Sequence, residues 1–367
     1  MLLWQIILLA VGMVMLIKGA DYFVDGSSKI AKALKIPSLI IGLTLVSMGT
    51  SAPELSVSIN AALAGSNDLS LGNVVGSNSF NTFLILGLSS IVVPLVIGDD
   101  MKKYDIPIML GIYGLLLVFG FLITPNQLDR IESIIFLALF VSYMVLLFFR
   151  AKNGNEEEVN EEGPITFKTI ILTVLIGIAG VLTILKQETI AVIVMSAFCL
   201  LLVLKFPKQI KSQSKALNII LSVFFAGTGL LAIIGGGTVV VDSASYIAES
   251  LGMSQALVGL TIVAVGTSLP ELVTSVVASI KKENDIAIGN VIGSNIFNVL
   301  LILGTTSTIK PLALTSESLF DLVVLFVSGL LVFLISRFSK NMKKWQGILF
   351  VLLYVAYLAF IIIRNYA

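Results

Sequence analysis

The stretch GLTLVSMGTSAPELSVS, residues 42–58, returns as GLTIVAVGTSLPELVTS at residues 259–275, identical at 11 of 17 positions without a gap. A second pair follows at the same offset of 217: LGNVVGSNSFN at 71–81 and IGNVIGSNIFN at 288–298, identical at 8 of 11 positions. Each copy sets small polar residues, a proline and one glutamate inside apolar sequence. A duplicated polar motif at membrane depth points to an ion or solute pathway built from two related halves.

The rest of the chain fits a bilayer. Of its 367 residues, 57% are hydrophobic and 12% charged, where a soluble domain carries roughly 25% charged residues. There is no histidine and a single cysteine, Cys199. Imidazole catalysis, histidine metal sites and an intrachain disulfide are thereby excluded. A net charge of +1 without basic, aromatic-interleaved patches gives no reason to expect nucleic acid. Ser51 and Ser268 have neither a histidine nor a buried lysine within the repeats to activate them, so an enzyme is rejected and no cofactor is expected. The first residues lack a basic start and a small-residue cleavage site, and read as a retained span.

Apolar runs able to cross about 30 Å of hydrocarbon fall near 2–24, 37–64, 70–97, 105–123 and 131–149. Two more lie near 167–185 and 188–205, and five near 216–241, 256–280, 287–309, 318–336 and 346–363. The expected fold is an all-α polytopic membrane protein of about twelve spans. Residues 1–150 form one five-helix repeat, 151–215 an acidic loop with an inserted two-helix hairpin, and 216–367 the second repeat. The loop's Glu156, Glu157, Glu158, Glu161 and Glu162 read as a solvated run. With both termini outside, lysine and arginine crowd the inward connections, and only Arg130, Lys186, Lys310 and Arg364 fall outward. Seven spans then precede the second copy, so the two five-helix repeats are inverted. Asp25 and Asp242, also repeat-related, are expected to cap the helices that follow them, and Lys18 to snorkel or pair with Asp21.

The motif chemistry is that of hard cations. Pro53 has no N–H and crowds the carbonyl four residues back, so the helix around Gly49 and Thr50 is broken. Unpaired backbone at membrane depth is tolerated where it lines a polar cavity or meets a ligand. Freed carbonyls, the hydroxyls of Thr50 and Ser51, and the charge of Glu54 make an oxygen site. Thr267, Ser268, Pro270 and Glu271 repeat it. All-oxygen ligation with two carboxylates suits Na⁺ or Ca²⁺, and Ca²⁺ better than the tightly hydrated Mg²⁺. Ser77 and Asn81 stand four apart on one helical face, as do Ser294 and Asn298. Gly72 with Gly76, and Gly289 with Gly293, offer small-residue surfaces for a second helix. Asn73, Asn78, Asn290 and Asn295 are open between helix caps, water contacts and ligands.

These motifs resemble the two α-repeats of the cation/Ca²⁺ exchanger superfamily, in its prokaryotic-type Na⁺/Ca²⁺ exchanger branch. GTSAPE and GTSLPE, with GNVVGSN and GNVIGSN, carry the resemblance across the ten-span core. The cation/proton branch has GNAxE-like repeats instead, which this chain lacks. The resemblance implies an inverted 5+5 fold with discontinuous helices and four cation sites at the midplane. It implies a Ca²⁺ site bridged by Glu54 and Glu271 with the carbonyls of Thr50 and Thr267. Na⁺ would use Ser47, Ala264, Ser51, Ser268, Ser77, Ser294 and Asn81, with Asn298 as the repeat mate of Asn81. The implied activity is exchange of three Na⁺ for one Ca²⁺ by alternating access, in the cell membrane. Asn298 stands where K⁺-dependent relatives carry aspartate, which argues against K⁺ co-transport. A cation/H⁺ exchanger on the same scaffold is the alternative, and a channel would need no duplicated carboxylate trap. A single chain is the expected working unit, a point the sequence leaves open.

Overall fold

The computed structural model describes residues 2–64, 67–153, 165–166, 209–210, 215–252 and 264–366. Cys199, the acidic loop and the expected hairpin at 167–205 lie outside the described residues. The span expected near 256–280 is described from Ala264 onward.

Among the described residues, the regular structure is helical apart from six two-residue strands. Helix α1 (Leu2–Leu34) is followed by α2 (Ser38–Thr50) and α3 (Ala52–Ala64), and then by α4 (Ser70–Val92). After strand β1 (Leu95–Val96) come α5 (Met101–Ile123), β2 (Gln127–Leu128) and α6 (Arg130–Asn153). Strands β3 (Ile165–Thr166) and β4 (Gln209–Ile210) pair antiparallel. The second copy begins with α7 (Lys215–Ser250), the three-residue α8 (Ala264–Gly266), α9 (Leu269–Ile280) and α10 (Asn284–Ile309). It closes with β5 (Leu312–Ala313), α11 (Ser316–Phe338), β6 (Asn341–Met342) and α12 (Lys344–Tyr366).

Among the described residues, eight helices are long and apolar enough to cross a membrane. The α2–α3 pair, bent by 47°, adds a ninth if it counts as one span. Two of the eight form the centre. The most apolar stretch of α10 is 94% buried and that of α4 is 78% buried, whereas the other six range from 22% to 44%. Both central helices are the ones that carry the second motif. The strands stitch the two copies together at their ends: β1 pairs with β6 (Leu95 opposite Met342), and β2 with β5 (Leu128 opposite Leu312).

Local sequence explains the breaks. Lys35 takes a left-handed backbone (φ 59°) and ends α1, and Pro37 at the next helix's N-cap, with extended backbone, starts α2. Thr315 caps α11 by accepting the Ser318 N–H at 3.2 Å. Alternation at a helical period does not foretell the π-helical turns at Gly42–Val46, Phe80–Ile85 and Asn298–Leu303. Such turns widen the ladder by one residue and cluster at functional sites. Here they begin at Phe80, just before Asn81, and at Asn298, whose N–H still bonds the Ser294 carbonyl as in an α-helix, so the ladder widens past these serine–asparagine pairs.

Helices α1 and α7 pack backbone to backbone. A Cβ on Gly19 would lie 2.8 Å from the Gly229 carbonyl oxygen, and one on Gly229 would lie 2.6 Å from the Phe23 nitrogen. Gly12 faces Gly236, and Gly26 faces the Ser222 carbonyl at 2.7 Å. Small residues therefore recur every seven positions on both antiparallel helices. Asp25 and Asp242 lie inside these helices rather than at caps, which corrects the expectation of N-capping. Both helices simply run on past the aspartate. Asp25 instead receives Lys281 Nζ at 2.6 Å, from the end of α9, while Lys18 does pair with Asp21 at 3.3 Å.

The outer helices are clamped in matching ways. Arg150 of α6 grips the fully buried Asp105 of α5 through both nitrogens at 2.7 and 3.1 Å, and Tyr143 donates to the same carboxylate at 3.1 Å. Arg364 of α12 grips Asp321 of α11 at 3.1 and 2.9 Å. Gly229→Val should overpack the α1–α7 seam and cost about 1–3 kcal/mol or more. A lowered thermal unfolding midpoint in detergent is the expected readout, with Gly227→Val, whose Cβ meets nothing within 4 Å among the described residues, as the tolerant control.

Candidate cation-binding site

The α2–α3 break sets the site. Ser51 leaves the helix at φ −83°, ψ 5°, and its counterpart Ser268 does so at φ −93°, ψ 6°. Pro53 is the second residue of α3 and Pro270 the second of α9. Neither can donate to the carbonyl four residues back, which belongs to Gly49 in one copy and Gly266 in the other. The turn thus exposes carbonyl oxygen at the start of a helix that carries the glutamate.

The two turns then exchange hydrogen bonds. Ser51 Oγ donates to Glu271 Oε1 at 2.9 Å, and Ser268 Oγ donates to Glu54 Oε1 at 3.2 Å. Ser268 Oγ also lies 3.0 Å from Ser77 Oγ on α4. Both glutamates are fully buried, and among the described residues Oε2 of each meets no hydrogen-bond donor. The amide oxygens of Asn81 and Asn298 are likewise buried without a donor. A buried carboxylate without a charge partner is costly. Four oxygens of this kind, with the carbonyls freed at the turns, are the donor set of a hard cation. Among the described residues no group of three or more carboxylate, thiol or imidazole side chains could hold a metal. A cation would be shared between two carboxylates and neutral oxygens.

The structure brings most of the expected residues together. Ser47, Thr50, Ser51, Glu54, Ser77, Asn81, Ser268, Glu271, Ser294 and Asn298 are all buried. Ser294 Oγ donates to the Ser47 carbonyl at 3.4 Å, so α10 touches the break in α2. Asn298 Nδ2 donates to Asn78 Oδ1 at 2.9 Å. Thr267 is half-buried, and its hydroxyl donates to Asn73 Oδ1 at 3.4 Å. Ala264 opens α8, and its side chain lies outside the described residues. The glycine surface of the second copy is used. A Cβ on Gly293 would stand 2.9 Å from Leu43 Cα, and one on Gly289 would stand 3.1 Å from Gly42 Cα. The segment equivalent to Gly42 and Leu43 in the second copy falls outside the described residues, so Gly72 and Gly76 are not tested in the same way.

Behind these oxygens lies a layer in which sequence reasoning left Asn73, Asn78, Asn290 and Asn295 open between caps, water contacts and ligands, and passed over Ser58, Ser275 and Thr82. Asn73 Nδ2 donates to the Glu54 carbonyl at 3.3 Å and to Ser58 Oγ at 2.9 Å. Asn290 Nδ2 makes the same pair with the Glu271 carbonyl and Ser275 Oγ, at 3.3 and 2.9 Å. Asn78 Nδ2 donates to the Asn295 carbonyl at 3.1 Å, and Asn295 Nδ2 to Thr82 Oγ1 at 2.9 Å. The signal for all but Thr82 was the offset of 217 itself, which each of these residues obeys.

Buried, paired carboxylates at the centre of a multi-pass helical bundle define an integral membrane protein that handles cations. The family model for the sodium/calcium exchanger protein matches residues 4–149 and 221–363, and the chain belongs to that family. It is 34% identical over 379 aligned residues to the sodium/calcium exchanger MaX1 of Methanosarcina acetivorans, covering 96% of this chain and 97% of that one. The inner membrane protein YrbG of Escherichia coli is 30% identical, with 96% of this chain and 95% of that one covered. The fold is similar to the solved structure of the sodium-calcium exchanger NCX_Mj, at a TM-score of 0.74 and 28% identity over 98% of this chain and 99% of that one. The protein is a transporter and not an enzyme.

Ser51→Ala and Ser268→Ala each strip a buried carboxylate oxygen of its donor. Each should cost about 1.5–3 kcal/mol, read as comparable falls in the thermal unfolding midpoint of the ion-free protein. A fall in one variant only would contradict the equivalence of the two turns.

Proposed function

We propose that this protein is a Na⁺-driven Ca²⁺ antiporter that works by alternating access, with three Na⁺ exchanged for one Ca²⁺ and no need for K⁺. The observation that carries the reading is the reciprocal pair of buried glutamates. Each is held by the other copy's serine, and each has one oxygen free for a cation. Ca²⁺ would sit between Glu54 and Glu271, with the carbonyls of Thr50 and Thr267. Na⁺ would use Ser47, Ala264, Ser51, Ser268, Ser77, Ser294, Asn81 and Asn298. The two ions compete because they need the same oxygens, and that competition couples their movements. Empty carboxylates resist crossing, at about 2.5–3.5 kcal/mol each on insertion scales. One net charge moves per cycle, so the membrane potential contributes about 2.3 kcal/mol per 100 mV.

The K⁺-independent reading draws support from Asn298, whose amide donates a hydrogen bond to Asn78 that an aspartate could not make. The matching breaks at Ser51 and Ser268 and the matching strand pairs support an inverted 5+5 architecture of residues 1–150 and 216–367. We place the chain in the cell membrane with both termini outside, on the distribution of lysine and arginine. Purified protein in vesicles loaded with Na⁺ and diluted into Na⁺-free, K⁺-free buffer at clamped pH should take up ⁴⁵Ca²⁺. Glu54→Gln and Glu271→Gln should each bring uptake to background. Uptake that ignores Na⁺ but follows an imposed pH gradient would replace this reading with Ca²⁺/H⁺ exchange.

A further inference from the structure

We propose that Asn73 and Asn290 are positioning residues, each locking the glutamate turn of its own copy to the threonine of the opposite copy. This rests on the reading of the paired glutamates as the Ca²⁺ site. The amide orientation is set by its neighbours. Asn290 Nδ2 faces the Glu271 carbonyl, which can only accept, and Ser275 Oγ. Its Oδ1 is thereby turned to the other copy, where it accepts from Thr50 Oγ1 at 3.0 Å. Asn73 does the same in mirror order, donating to the Glu54 carbonyl and Ser58 and accepting from Thr267. Only a primary amide of this length supplies a donor and an acceptor at the two ends of one rigid planar group. Aspartate lacks the donor, and alanine lacks both.

Placement adds the function. Asn73 and Asn290 precede Ser77 and Ser294 by four residues, one helical turn behind them on the central helices. Each asparagine thus fixes three parts at once: the central helix, the turn with the glutamate, and the opposite turn with the threonine. Their side chains spend both functional groups on protein, so they orient ligands rather than serve as ligands. The Thr50 hydroxyl has one proton and three acceptors in reach, because the carbonyls of Val46 and Ser47 stand at 3.1 and 3.3 Å. Its choice of Asn290 or its own helix decides whether the first break, already bonded to the Glu271 carboxylate through Ser51, is also tied to the main chain of that glutamate turn. The geometry of one carboxylate is therefore conveyed to the carbonyls of the other copy.

The test is a set of double-mutant cycles on the full-length protein in nanodiscs, reading Ca²⁺ affinity by ⁴⁵Ca²⁺ binding. Asn290→Ala and Thr50→Val should each weaken binding about tenfold, and together hardly more than either alone. Asn73→Ala with Thr267→Val should behave alike, whereas the crossed pair Asn73→Ala with Thr50→Val should multiply. Asn290→Asp should weaken binding, although a ligand made acidic would tighten it. Multiplicative effects in the facing pairs, or tighter binding by Asn290→Asp, would overturn the proposal. If Asn290→Ala does not fold, the cycle on the half-buried Asn73 decides. If the parent protein binds no Ca²⁺, the Ca²⁺ reading fails by itself. The same coupling pattern is then read in thermal unfolding midpoints, where additive facing pairs overturn the positioning role.

Discussion

Two carboxylates buried in one membrane protein repel each other and lack water, so everything near them is arranged to make their presence tolerable. Glu54 and Glu271 divide the task. One oxygen of each accepts a hydrogen bond from a hydroxyl of the opposite copy, and the other meets no donor among the described residues. The prolines two residues into α3 and α9 follow from the same need, since they free carbonyls close to the glutamates. So does the burial of α4 and α10, which keep lipid away from the serines and amides they carry. The site is a shared object that neither copy can build alone, which gives a physical reason for the sequence to keep the motif twice.

Much of this was legible because the chemistry is strictly periodic. Pro53 and Pro270 announce broken helices, and an offset of 217 aligns the glutamates, the asparagines and, apart from Ser47 opposite Ala264, the serines that meet at the centre. What was not legible depends on geometry that a pattern of residue types does not encode. The π-helical turns at Phe80–Ile85 and Asn298–Leu303 widen the two central helices beside the serine–asparagine pairs, and no residue type marks them. Asp25 looked like a cap because serines and a lysine follow it, yet its partner is Lys281, remote in sequence.

The arginine clamps show how a real correspondence can escape alignment. Asp105 with Arg150 and Asp321 with Arg364 do the same work, tying the fourth long helix of each copy to the fifth. Their offsets are 216 and 214 rather than 217, because the turns between the elements differ in length. Burial separates them further: Asp105 is fully enclosed and shares its charge with Tyr143, while Asp321 is partly exposed. The duplicated design is thus strict where ions would bind and loose where helices only need to stay together.

The seam between α1 and α7 bears on how such a protein could alternate. Facing small residues step seven places forward on one helix and seven back on the other, with main chains in contact at each step. Side chains at such a contact cannot act as springs or cushions, because there are almost none. The two longest of the described helices, one from each copy, would therefore move as a single stiff plank. Under the antiport reading, one plank serving both faces acts as a seesaw: lifting it from one entrance presses it onto the other. Leak through a doubly open state is then forbidden by rigidity, without any gate having to sense the other.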